Sequence, residues 1–269
     1  MLRLAKILFF LLIFSLPFMK LDVAVGGLAA NATDLLLVAA AACLAAAVLK
    51  GETKLRWNAA YGVLLAYFVA MLLSAFASPE PARAALKLTT QAYLLALPVL
   101  AFSVIESRED LRAAFGWWLA ATAVTAAIGT LAVLLFAVAD GPLLSYALHG
   151  YGTLPSGPYP RLKSTFAYPA MLTNYLTVSL MILLIARRLD WIGRPLFYLL
   201  LVPVLATSVF SLTPGLGGIF LAIGLWLYAG ERIRAPRLAF AGLAGGAMAA
   251  LLFVLAATVT PIIHPTPRS

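Results

Sequence analysis

The residues of this chain that could do chemistry are few, and most are cations. Arg83 and Lys87 stand four positions apart, Arg161 and Lys163 two apart, each pair at or just before the start of a long apolar block. On a helix, Arg83 and Lys87 would share one face. Cations at the edge of a hydrocarbon layer suit an anionic ligand, and phosphate is the anion that lipids carry at that depth. Arg adds a planar fork that engages two phosphate oxygens at once. The structural alternative is that each cation anchors a helix end, with its stem in lipid and its head in water. The other groups offer less. His149, in Leu148-His149-Gly150-Tyr151, and His264 are the 2 histidines, and Cys43 is the 1 cysteine. One cysteine inside an apolar run leaves no disulfide and no cysteine metal site within a single chain. Asp34 opens an apolar block after Thr33, as a helix N-cap would, and Asp140 with Gly141 opens the longest connection. No ionisable residue falls near the middle of an apolar block, which argues against an ion-coupled transporter or proton pump.

Those blocks dictate the architecture. Hydrophobic residues are 64% of the 269 and charged residues 11%, against about half and about a quarter in a soluble domain. So few charges cannot cover a water-facing surface. The blocks also have the length that crosses about 30 Å of hydrocarbon as a helix, and the alternating short segments of a membrane β-barrel are missing. The expected fold is all-α, a polytopic transmembrane helical bundle forming a single transmembrane domain over 1–269. Nine spans are predicted, at about 4–19, 33–49, 58–77, 86–104, 111–139, 169–186, 195–211, 215–230 and 238–260. Charge, Pro and Gly mark most breaks, as at Ser78-Pro79-Glu80-Pro81 and Glu106-Ser107-Arg108-Glu109-Asp110. Spans 7 and 8 meet at Thr213-Pro214-Gly215 with almost no loop. The connection at about 140–168 is rich in Gly, Pro and Tyr and too apolar for a solvated linker, so it is expected to pack on the membrane surface or between helix ends. Residues 1–19 have the charged and apolar halves of a signal peptide, yet cleavage would fall as far along as Ala29 or Ala30. A retained first span is expected.

Charge then sets orientation. With the N-terminus inside, Lys20, Arg83, Lys87, Arg161, Lys163 and Arg268 lie outside, and the other thirteen of the 19 Lys and Arg lie inside. That excess fits the positive-inside rule, giving a cytoplasmic N-terminus and, with nine spans, a periplasmic C-terminus. The net charge of +9 is thereby accounted for by topology and lipid headgroups, with no nucleic acid partner implied. The outside cations gain interest, because the rule depletes Lys and Arg there.

Two stretches carry a family resemblance. Arg161-Leu-Lys-Ser164-Thr165-Phe166-Ala-Tyr-Pro169-Ala-Met-Leu-Thr-Asn174-Tyr175-Leu176 resembles the R-x-x-G-T-F-x-x-P-N…A-x-Y-L block that opens a transmembrane helix in the O-antigen ligase family of bacterial membrane glycosyltransferases. Phe210-Ser-Leu-Thr-Pro-Gly-Leu-Gly-Gly218 stands where that family carries S-R-G. The short break between spans 7 and 8 and the charged turn before span 4 fit the same family.

The resemblance implies an inner-membrane protein that moves a glycan from an undecaprenyl-pyrophosphate carrier to an acceptor: a lipid A core, a polysaccharide or a protein hydroxyl. Such enzymes work at the periplasmic face without nucleotide sugar, metal or other cofactor. Their outward basic residues hold the pyrophosphate, and a histidine in a large external loop acts on the acceptor. By this resemblance Arg161 is the motif arginine and Lys87 the basic residue at the outer end of span 4. Arg83, Lys163 and the span-8 N-terminus at Gly215 stand beside them as donor-pyrophosphate ligands, and the catalytic residue is left unassigned. Two departures stand out. Pro214 occupies the slot of a family arginine, although backbone N–H groups at a helix N-terminus can bind an anion. The sequence also stops soon after span 9, and neither His264 nor His149 has the context of the family's histidine. It therefore looks like the N-terminal portion of such an enzyme, expected to bind the lipid without turning it over. The rival readings are a non-catalytic subunit that binds lipid-linked glycans and a flippase or transporter of the same lipids.

Overall fold

The structure, a computed structural model, describes residues 1–19, 22–25, 28–55, 60–136, 146–151, 159–211, 213 and 223; for some of these, Lys87 and His149 among them, it describes the backbone alone. Seven helices and two hairpins follow in the order α1 (Leu2–Ser15), β1 (Asp22–Val25), β2 (Leu28–Asn31), α2 (Ala32–Leu49), α3 (Ala60–Phe76), α4 (Pro81–Val104), α5 (Arg108–Phe136), β3 (Leu148–Tyr151), β4 (Tyr159–Leu162), α6 (Pro169–Arg188) and α7 (Arg194–Phe210). Helix is the dominant structure, and α2, α5 and α6 are long and apolar enough to cross a membrane. That is the character of a membrane protein.

The helix starts are written locally. Helices α4, α6 and α7 each carry Pro in the first two positions, where its missing N–H costs nothing and its fixed φ suits the turn. Ser107 and Asp110 begin α5 as a reciprocal cap. The Asp110 N–H donates to Ser107 Oγ at 3.0 Å, and the Ser107 N–H donates to Asp110 Oδ2 at 3.1 Å, so two amides that no helical carbonyl reaches are satisfied. Asp34 lies in the first turn of α2, whose first residue is Ala32, so it sits inside the helix rather than at its cap, where a carboxylate still opposes the positive end of the dipole.

Three expectations change. Span 1, placed at 4–19, is a helix of 14 residues ending at Ser15, because Pro17 cannot continue it. At 1.5 Å per residue that is about 21 Å, short of the hydrocarbon thickness. Spans 3 and 7 are apolar helices of 17 described residues each, at the lower limit for a crossing, whereas span 4 lies wholly within the 24 residues of α4. Spans 8 and 9 lie outside the described residues. Finally, the all-α expectation misses two antiparallel hairpins, β1 with β2 and β3 with β4. In the sequence Gly26-Gly27 separates the first two strands, the dipeptide that a two-residue hairpin turn favours.

The chain divides into two compact units, Met1–Ile13 with Ala32–Ala114, and Phe14–Asn31 with Phe115–Ser269. In the first, charges gather the N-terminus, the connection after α2 and the connection after α4. The Met1 ammonium meets Glu52 Oε2 at 2.7 Å, and Lys6 Nζ meets Asp110 Oδ2 at 2.8 Å and Glu106 Oε2 at 3.2 Å. In the second, α6 is the centre. Its buried side runs Pro169, Leu172, Thr173, Leu176, Ser179, Leu180 and Leu183, the three-and-four spacing of one helical face. Phe166, Leu162, Ala147, Val204 and Phe197 close around it. The opposite side of α6 exposes Met171, Val178, Met181 and Ile185. Hydroxyls inside and methyl groups outside is the arrangement for a helix whose surroundings are lipid.

Candidate functional site

The two sequence blocks that carry the resemblance meet in the second unit. Strand β4 delivers Arg161, half-buried, to the C-terminal end of α7, where its Nε donates to the Ser211 carbonyl at 3.2 Å. The second turn of α6 brings Thr173, fully buried, to the same place. Thr173 Oγ1 lies 2.6 Å from Ser211 Oγ and accepts from Thr213 Oγ1 at 2.7 Å, while Ser211 Oγ donates to the Ser208 carbonyl at 2.6 Å. Residues 161–173 and 208–213 are thus joined by one guanidinium and a cluster of hydroxyls.

Local geometry explains how the hairpin hands the chain to α6. The Lys163 and Ser164 amides both donate to the Ala147 carbonyl, at 2.8 and 2.9 Å, which folds the end of β4 back over the start of β3. Ser164 then takes a φ of +49°, in the left-handed region that costs an L-residue roughly 1–2 kcal/mol. The resembled block carries Gly at this position, the residue for which that φ is free. Here the Ser164 hydroxyl donates to the Thr125 carbonyl at 2.8 Å, a bond that offsets part of the strain. Close packing completes the joint. A Cβ on Gly129 of α5 would stand 2.9 Å from Thr207 Cγ2 and 3.2 Å from Leu162 Cδ2.

A second polar cluster ties α5 to α6 deeper in the unit. Trp118 Nε1 and Thr122 Oγ1 both lie 2.9 Å from Ser179 Oγ, Thr122 Oγ1 is 3.1 Å from the Tyr175 hydroxyl, and the Trp118 and Tyr175 rings stack with centroids 5.0 Å apart. Sequence reading passed over this set. The signal was there: Trp118, Thr122 and Thr125 recur at four and three, so they form one polar stripe on an apolar helix.

The other candidate residues are placed as follows. Lys163 leaves β4 half-buried, two residues after Arg161. His149 occupies the register position opposite Arg161 in the β3–β4 hairpin, a neighbour that sequence spacing did not suggest. Arg83 lies in the first turn of α4 in the first unit, exposed, with Nη1 on Glu80 Oε2 at 2.9 Å. It borders a cleft of about 360 Å³ at the α3–α4 turn, together with Ser74, Ser78, Glu80 and Leu88. Lys87 follows one helical turn on, in α4. The structure thus brings Arg161 and Lys163 together on one strand end and Arg83 and Lys87 together on one helix, in different units. Gly215, Pro214 and His264 lie outside the described residues. Among the described residues no three of His, Cys, Asp and Glu form a group that could hold a metal ion.

No protein-family model matches the sequence, and no curated protein or solved structure is detectably similar to it.

Proposed function

We propose that this chain is a nine-span protein of the bacterial inner membrane, N-terminus in the cytoplasm and C-terminus in the periplasm. In this reading it binds an undecaprenyl-pyrophosphate-linked glycan at its periplasmic face and takes part in O-antigen ligase-like transfer of that glycan to an acceptor. One observation carries the reading: the R-x-x-S-T-F block and the block in the place of S-R-G, fifty residues apart, meet through the Arg161 bond to Ser211 and the Thr173 contacts with Ser211 and Thr213. Two stretches matched to one family by sequence need not touch; here they build one polar end.

The chemistry suits the task. Loss of a pyrophosphate leaves negative charge on the departing oxygens, and a fixed guanidinium stabilises it without a metal. Arg161 is the first ligand and Lys163 the nearest second cation, while Arg83 and Lys87 supply an anionic-lipid contact on the other unit. The alternation of the first four spans has its own support. The ion pairs of Met1 and Lys6 hold the N-terminus with the connections after α2 and after α4, the three segments that alternating spans put on one side.

The competing account of Arg161 is a helix cap, since a cation bonded to the last carbonyls of α7 is favoured by the helix dipole. Purified protein in nanodiscs separates the two. Arg161→Ala is expected to weaken undecaprenyl-pyrophosphate binding by about 1.5–3 kcal/mol, the scale of a charged hydrogen bond. Arg161→Lys should recover little of it, because a point charge lacks the fork. A folded Arg161→Ala protein with undiminished affinity reduces Arg161 to a cap. For sidedness, an Ala167→Cys variant lacking Cys43 should react with an impermeant thiol reagent from the periplasm, and reaction only from the cytoplasm would reject the orientation.

A further inference from the structure

We infer that Thr173 is a positioning residue for Arg161, acting through Ser211. The inference rests on the lipid-pyrophosphate reading of Arg161 and adds a second residue to it. It starts from a count of hydrogens. Thr173, Ser211 and Thr213 each carry one hydroxyl hydrogen, and all three side chains are buried, at 0%, 0% and 4% exposure. The Ser211 hydrogen is taken by the Ser208 carbonyl at 2.6 Å. The 2.6 Å contact between Thr173 and Ser211 must then be bridged by the Thr173 hydrogen, and the Thr213 hydrogen points to Thr173 at 2.7 Å. The Pro169 carbonyl, 3.2 Å from Thr173 Oγ1, receives the weaker branch of that shared hydrogen.

The result is a directional chain from Thr213 to Thr173 to Ser211 to the Ser208 carbonyl. Thr173 is its only member that accepts from one hydroxyl and donates to another across two elements. It ties the second turn of α6 to the C-cap of α7, and the carbonyl of the residue so tied accepts Arg161 Nε at 3.2 Å. Fixing Ser211 therefore constrains the orientation of the guanidinium, and a planar fork recognises phosphate best in the right plane. Valine has the shape of threonine and no hydroxyl, so Thr173→Val would leave Thr213 and Ser211 only their long mutual contact of 3.4 Å in place of the two short bonds to Thr173 inside a buried site. Serine restores both.

The test measures undecaprenyl-pyrophosphate affinity in nanodiscs for the wild type, Thr173→Val, Thr173→Ser, Ser211→Ala, Arg161→Ala and the Arg161→Ala/Thr173→Val double variant, each checked for an unchanged melting profile. The expected result is a loss of about three- to tenfold for Thr173→Val and for Ser211→Ala, the scale of one neutral hydrogen bond. Affinity should be near wild type for Thr173→Ser, with no added loss when Thr173→Val is combined with Arg161→Ala. Ser211→Ala keeps the carbonyl that Arg161 uses and stands in if Thr173→Val fails to fold. If Arg161→Ala binds normally, the lipid reading falls and takes this inference with it. If Arg161→Ala is weak while Thr173→Val and Ser211→Ala match the wild type, only the positioning role falls. Additive losses in the double variant would likewise remove it, since Thr173 would then act elsewhere than through Arg161.

Discussion

The two units solve the problem of polar groups in an apolar chain in opposite ways. In the first, polar contacts are ionic and sit at helix ends: Met1 with Glu52, and Lys6 with Glu106 and Asp110. Of the residues of α2, 22% are buried, and Val63 and Phe76 of α3 are 72% and 81% exposed. In the second, an ion pair of Arg187 with Asp190 sits at the end of α6, but the buried contacts between helices are made by neutral hydroxyls. The half-buried Arg161 lies at their edge, and more than half of the apolar stretch of α6 is buried. A charge taken out of water costs far more than a hydroxyl that keeps a partner. The first unit therefore places its charges where water reaches, and the second builds its interior from Ser, Thr, Tyr and Trp. A tightly joined polar interior is what a binding site needs, which is why the Arg161 end is the stronger candidate of the two cation pairs.

Three changes would break or sharpen this contrast. The largest effect belongs to Gly129, because a side chain there meets the side chains of Thr207 and Leu162, both fully buried. Gly129→Val is expected to destabilise the protein by about 2–3 kcal/mol, the upper range for overpacking a filled core. An unchanged melting temperature in detergent would mean that α5, α7 and β4 are not in close contact. A smaller effect belongs to Ser179. Ser179→Ala strands Trp118 Nε1–H and removes a partner of Thr122, and interhelical hydrogen bonds in membranes are worth about 0.6 kcal/mol on average and up to about 1.7. A loss of about 1 kcal/mol is expected, with a shift in Trp emission; no change in either would make the cluster incidental.

The smallest effect is in the first unit and depends on pH. The Glu52 carboxyl is held below its usual range by the hydrogen bond from the N-terminal ammonium, and next by the Leu2 N–H. A depressed carboxyl pKa adds stability above the unfolded value of about 4.3, and that stability is lost as pH falls through the folded value. Wild type and Glu52→Gln should therefore differ slightly in melting temperature at neutral pH and converge in acid. A difference that widens in acid would reverse the sign and discard the ion pair as a support. Because the pair is exposed, the neutral-pH difference is expected to be small.

Much of the helical framework was legible because its signal is local. Helices α2, α5 and α6 lie within a few residues of the predicted 33–49, 111–139 and 169–186, since apolar runs bounded by charge, Pro or Gly leave little choice. The prolines that open α4, α6 and α7 are equally local. What escaped depends on partners far along the chain. The β3–β4 hairpin lies in a segment whose Gly, Pro and Tyr content shows only that it is no helix, and its strands, of 4 residues each, are too short to show an alternating pattern. Arg161 was identified as a candidate from its block, but its bond to a carbonyl fifty residues on is a tertiary event. The hydroxyl chain through Thr173 is further from view, because a threonine in an apolar helix looks the same whether it faces its own backbone or a neighbouring helix.

The left-handed Ser164 has a consequence for how this position can drift over generations. Exchange for Gly would relieve strain of about 1–2 kcal/mol and forfeit the bond to the Thr125 carbonyl, worth about 0.5–1.5 kcal/mol. The two nearly cancel, so Ser and Gly are expected to be close to interchangeable there in stability. A β-branched residue has no such path, because it adds crowding at a φ of +49° and Val or Ile brings no hydroxyl. The position is thus permissive in chemistry and strict in shape.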